Sequence, residues 1–175
     1  MRENRKQGKK RNVRIFISYS HSNAKIIEPL IELMTQHFAI SKHFDYAIWW
    51  DNRLLCGQAW EDEIMLQAKR CDAALLMLSP AFLGSKFVNS KELPLLREEK
   101  KLLFPVALYP VDFAHHDMQG LEENQIYFLN SPSFTGPRSY SDLKSPRRVD
   151  FALGLFCQIE DRLVLEFPED NEETT

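Results

Sequence analysis

Glycine is scarce: six residues in 175, at positions 8, 57, 84, 120, 136 and 154. No two stand close enough for a G-x-G-x-x-G fingerprint or a Walker-type phosphate loop, so a Gly-rich nucleotide cradle is excluded. Cysteine is scarcer still, with Cys56, Cys71 and Cys157 far apart and odd in number. Without a C-x-x-C pair there is neither a zinc knuckle nor a disulfide framework, and scattered thiols fit a reducing, cytoplasmic compartment. Long apolar runs are also missing. The longest, Ala73 to Leu78 and Phe151 to Cys157, fall far short of the roughly 18 residues of a membrane span, so no membrane association is expected. The net charge is only −3, which removes the whole-chain electrostatic argument for direct nucleic acid binding.

What charge there is lies at the ends. Residues 1–12 carry six bases against Glu3, a local net of +5, and residues 166–175 carry five acids and no base. Both segments read as solvated, disordered tails around a single body at residues 13–165. Within that body Val13 to Ser18 reads as a buried strand. A helix with Ile26, Ile27, Leu30, Ile31, Met34 and Phe38 on one side follows, with Pro29 expected to kink it or delay its start. Tyr46 to Trp50 is a second strand. Trp60, Ile64 and Ala68 mark a second helix, whose first-turn acids Glu61, Asp62 and Glu63 suit the helix dipole. Asp72 to Ser79 is a third strand, stopped by Pro80. Asn89 to Lys101 should be a third helix, starting near Lys91 if Pro94 limits it. Leu102 to Tyr109, interrupted by Pro105, and Ile126 to Leu129 complete five strands, and Val149 to Leu163 is a last helix.

Apolar strands that alternate with helices indicate a parallel sheet covered on both faces. Such sheets bind ligands beyond the carboxyl ends of their strands. That directs attention to Ser18 to Asn23, Trp50 to Gly57, Ser79 to Glu92 and Tyr109 onward. Ser20 and Ser79 lack the glycines of a nucleophile elbow. His115-His116-Asp117 reads as a surface loop, because adjacent residues rarely converge on one metal ion. Neighbouring strand residues face opposite sides, so Trp49 is expected in the core and Trp50, at the strand end, is the better partner for a planar ligand. Asp51 and Glu92 stand near strand ends, where a lone carboxylate has several bland explanations.

Several ordered boxes resemble Toll/interleukin receptor (TIR) domains of the bacterial type. Phe16-Ile17-Ser18-Tyr19-Ser20 is similar to the first box, and Trp50-Asp51 with Gly57 to the second. Leu78-Ser79-Pro80-Ala81-Phe82-Leu83, followed by Ser85, Phe87, Lys91, Glu92 and Leu93, resembles the third-strand and third-helix region. Pro105-Val106 through Asp112-Phe113 resembles a later strand, with Phe113 where many members have Trp. The resemblance implies a flavodoxin-like fold with a five-stranded parallel sheet and, for many members, cleavage of NAD+ at the nicotinamide bond. Glu92 matches the catalytic glutamate. Tyr19, Ser20, Trp50 and Asp51 match the nucleotide-site walls, and Phe87 the aromatic before the glutamate, here five positions ahead rather than four. NAD+ would be a substrate, with no bound cofactor or metal.

One glutamate suffices for that chemistry. Loss of neutral nicotinamide leaves an oxocarbenium-like ribosyl cation, which a nearby carboxylate stabilises. The resemblance also implies self-association through TIR–TIR contacts, and the shortness of the chain suggests a separately encoded sensor or scaffold, as in an anti-phage effector. The alternative is a non-enzymatic adaptor acting through TIR–TIR contacts. A phosphorelay receiver would need paired acids after the first strand, where Ser18-Tyr19-Ser20-His21 supplies none.

Overall fold

The computed structural model describes residues 10–51 and 60–168. Residues 1–9, 52–59 and 169–175, which include Gly57 and most of both charged tails, lie outside the described residues.

The chain runs β1 (Arg11–Ser18), a short 3-10 turn (His21–Asn23), α1 (Ala24–Ala39), β2 (Phe44–Trp49), α2 (Trp60–Arg70) and β3 (Ala73–Leu78). It continues through α3 (Pro80–Leu83), a π-helical turn (Val88–Glu92), α4 (Leu93–Glu98), β4 (Leu102–Ala107) and α5 (Ser145–Glu166). The strands lie in the order β2-β1-β3-β4 and every pairing is parallel. β3 is central and buried along its whole length, which is why it reads as an unbroken apolar run.

Alternation along β1 divides the interior in two. Val13, Ile15 and Ile17 face one side and join Ile27, Leu30 and Met34 of α1 with Phe151, Leu155 and Ile159 of α5. Phe16 faces the other side, with Ile64 and Ala68 of α2 and Leu93 and Leu96 of α4. Helices therefore cover both faces, as the apolar strands require.

The sheet has four strands, not the expected five. The segment around Tyr127 occupies the fifth position but makes a single parallel bridge, to Val106. Its Tyr127 N–H donates to the Pro105 carbonyl at 2.8 Å and its carbonyl accepts from Ala107 N–H at 2.9 Å. Continuing the ladder would require the backbone of Leu129. That backbone is already committed both ways to Arg138, at 3.0 and 2.9 Å, so the strand ends where it begins.

Pro105 does not interrupt β4, because its carbonyl points away from β3 toward Tyr127. The missing N–H of the same residue points the same way and costs the ladder nothing. Pro29 lies inside α1 on its exposed side, so the unpaired carbonyl one turn earlier faces solvent. Pro94 has the larger effect. The single helix expected over Asn89 to Lys101 is replaced by the π-helical turn and the short α4, with Pro94 at the second position of α4. Pro94 cannot donate to the turn before it and crowds its carbonyls, and widening that turn relieves both problems.

The ends of the body are tied together. β1 begins at Arg11, two residues before the expected Val13. The Arg11 guanidinium lies 3.7 Å from the centre of the Phe167 ring, just past α5.

Candidate active site

The site grows out of the ends of β1 and β2. Register pairs Phe16 with Trp49, so both project from the same face of the sheet, and their rings stack with centroids 5.4 Å apart and 11° between planes. Ser18, two residues beyond Phe16, shares that face and is 3% exposed. Its hydroxyl donates to Oε1 of Glu92 in a short contact. Glu92 arrives from the other side, at the end of the π-helical turn, and is 4% exposed.

That turn explains the unusual spacing of Phe87 and Glu92. Leu93 N–H bonds to the Val88 carbonyl, five residues back, so this turn takes up one more residue than an α-helical turn. The additional residue is absorbed there, and Phe87 and Glu92 both face the same cleft.

The cleft has a volume of about 190 Å³. Tyr19, Ser20, Asp51, Phe87 and Glu92 all line it, so five of the six expected site residues converge. Trp50 does not. It is buried on the α1–α5 side of the sheet, with its ring 6.2 Å from that of Tyr19. Trp49 takes the place expected of Trp50, half-buried at the cleft wall. The physical reason is strand phase: alternation sets neighbours on opposite faces, and pairing with Phe16 decides which neighbour faces the cleft.

Ser18, His21 and Trp60 also line the cleft, and sequence reasoning did not single them out as site residues. Alternation from Phe16 points to Ser18, whereas nothing local marks His21. Trp60, at the start of α2, packs its ring 5.0 Å from that of Phe87. Across this aromatic pair the Lys91 ammonium contacts the Glu61 carboxylate, joining the π-helical turn to α2.

The electrostatics are those of two acids in a confined space. Burial pushes the Glu92 carboxyl up to about 7. The Ser18 hydrogen bond opposes that rise, and the nearby Asp51 charge adds to it. Asp51 is itself held, with Oδ2 2.7 Å from His21 Nε2 and its side chain 8% exposed. Its Oδ1 is buried and has no hydrogen-bond partner among the described residues. Burial, with the Asp51 carboxylate adding to it, raises the Tyr19 hydroxyl well above its ordinary value. The result is a cleft with aromatic walls and two carboxyl groups, one of them raised toward neutrality by burial. A cationic ring could enter such a space, with its charge facing acids and π-faces.

The small volume limits the ligand. Pockets for drug-sized ligands run from roughly 300 to 1,000 Å³, so the cleft is smaller than a whole dinucleotide would need. Among the described residues no group of three or more His, Cys, Asp or Glu could hold a metal ion. His115 and His116 instead turn back on Asp112, with His115 Nδ1 2.7 Å from Asp112 Oδ2 and the Asp112 N–H donating to His116 Nδ1. No described helix is long and apolar enough to cross a membrane.

A parallel sheet wrapped by helices on both faces, with a buried glutamate reaching its carboxyl edge, defines a doubly wound α/β domain. The model of the TIR domain family matches residues 15–141, and the chain belongs to that family. No curated protein matches it.

Proposed function

We propose that this protein is an NAD+ glycohydrolase that releases nicotinamide, yielding ADP-ribose or a cyclised form, with Glu92 as its catalytic carboxylate. The observation that carries the reading is the Glu92 carboxylate, buried at 4% exposure in an aromatic-walled cleft at the strand ends. In this reading the nicotinamide ring lies against Trp49, Trp60 or Phe87, and the ribose faces Glu92. The C1′–N bond breaks with its electron pair going to the nicotinamide nitrogen, which becomes neutral. The positive charge passes to the ribosyl C1′–O4′ unit, where Glu92 stabilises it. Water, or a ring nitrogen of adenine in the cyclising variant, captures C1′; with water, the released proton goes to solvent or to Glu92. Asp51 Oδ1, which has no hydrogen-bond partner among the described residues, would accept a hydrogen bond from the substrate.

A cleft of 190 Å³ leaves much of a dinucleotide unheld, which favours an enzyme completed by association with a second TIR domain. A separately encoded sensor or scaffold that assembles the chain in the cytoplasm, as for an anti-phage effector, fits the same reading.

The test is nicotinamide release from NAD+ over a wide range of protein concentration, with and without a crowding agent. The expected result is a rate per molecule that climbs with concentration, and a loss of about a hundredfold or more in Glu92→Ala. Retained activity in that variant would overturn the role of Glu92. Silence of the parent chain under every condition would favour the adaptor alternative.

A further inference from the structure

A second concavity lies at the other end of β2, between the C-terminal end of α1 and the C-terminal half of α5 from Leu153 onward. Its volume is about 620 Å³, more than three times that of the cleft, and within the range of small-molecule sites. Six residues of β2, roughly 20 Å of strand, separate the two. Ile40, Leu153, Phe156, Val164 and Leu165 form its walls. Ile40 and Leu165 are 77% and 76% exposed, an unusual concentration of apolar surface left open to water.

At its base is a buried acid. Glu160 is 8% exposed, and its Oε1 accepts from the Ser41 hydroxyl at 2.5 Å and the Tyr46 hydroxyl at 2.7 Å. The Ser41 oxygen in turn accepts the backbone N–H groups of His43 and Phe44, so the carboxylate is fixed in place. Both donors converge on Oε1. Oε2 has no hydrogen-bond partner among the described residues, and no described cation pairs with Glu160. His37, Lys42, His43 and Asp161 also line the groove, and the Lys10 ammonium is held by the Ser41 carbonyl at 2.6 Å. Among the described residues none of them pairs with Glu160, whose carboxylate is the fixed charge a ligand would meet at the base.

A carboxylate fixed through one oxygen, with the other open to the groove, can take a charge-assisted hydrogen bond from a cationic donor. The apolar walls favour a hydrocarbon or aromatic body behind that donor. We propose that this groove is a second ligand site, independent of the cleft, that takes a small amphipathic cation: a protonated primary amine on an apolar body. The ammonium group sits on Glu160 Oε2 and the body lies between α1 and α5.

The experiment titrates the full chain with phenylpropylammonium chloride and, separately, with uncharged phenylpropanol, and follows backbone amide shifts. The amine is expected to bind at least about tenfold more tightly than the alcohol, with shifts at Ile40, Leu153 and Phe156. Glu160→Gln keeps an acceptor for Ser41 and Tyr46 and should erase the preference for the amine. Leu153→Arg, on the exposed side of α5, should block the groove without entering the core, so it decides the matter even if the Gln variant fails to fold. Equal binding of amine and alcohol, a preference that survives Glu160→Gln, shifts confined to the cleft, or no binding at about 10 mM would each overturn the proposal.

Discussion

Glu92 should make the protein less stable than a neutral residue would, and the penalty should depend on pH. Its carboxyl titrates near 7 in the folded chain against an ordinary value of 4.5. The folded state therefore holds the proton over a range where the unfolded state has lost it. Stability falls as pH rises from about 4.5 to about 7 and levels off above that, the reverse of the usual paired carboxylate. Each unit of difference corresponds to about 1.36 kcal/mol, so the penalty is about 1 kcal/mol at pH 5 and about 3 kcal/mol at pH 8. Glu92→Gln removes the charge and retains an oxygen for the Ser18 hydroxyl. Thermal melts at pH 8 should show the variant higher by about 6–12 °C for a domain of this size. At pH 5 most of that gap should close. A variant that melts below the parent at pH 8, or a gap of equal size at both pH values, would refute the reasoning. Conflict between stability and the placement of a charge is expected where a side chain serves chemistry rather than packing.

Gly154 on α5 faces the Tyr127 hydroxyl, and a Cβ built there would overlap it. Tyr127 also donates to the Phe151 carbonyl at 3.0 Å, so the ring cannot swing away freely. Gly154→Ala should cost about 2 kcal/mol in denaturant unfolding, and Tyr127→Phe in the same chain should return part of it; a neutral Ala variant would show that α5 shifts easily. The two adjacent tryptophans should separate cleanly. Trp50→Ala empties a buried site and should cost about 3–5 kcal/mol with little change in KM for NAD+ among molecules that remain folded. Trp49→Ala should raise KM with a smaller loss of stability. The opposite pattern would mean that β2 faces the other way.

How much was legible in advance depended on whether the deciding contact was local. β1 and β3 were readable because apolar and β-branched runs end at Ser and Pro, and the place of Glu92 at the carboxyl edge of the sheet followed from the boxes around it. The facing of Trp49 and Trp50 was not readable, since it rests on pairing with Phe16, more than thirty residues away. The fifth strand failed for a similar reason: Ile126 to Leu129 has strand-like composition, but Arg138 takes the backbone of Leu129. Pro29 does not delay the start of α1 and Pro105 does not interrupt β4, because the side toward which a missing N–H points is a tertiary property. His21 is drawn to the cleft by Asp51, a contact across two separate strand ends, and packs its ring 5.9 Å from that of Tyr19.

The wide turn at Val88–Glu92 has a consequence for finding other chains of this kind. A search pattern that fixes the interval between the aromatic and the glutamate treats one inserted residue as the loss of the motif. In three dimensions the insertion costs one unusual hydrogen bond and leaves both side chains in the same hollow. Spacing rules for this motif should therefore be written with a variable interval. Here Pro94, two residues past Glu92, accompanies the wide turn.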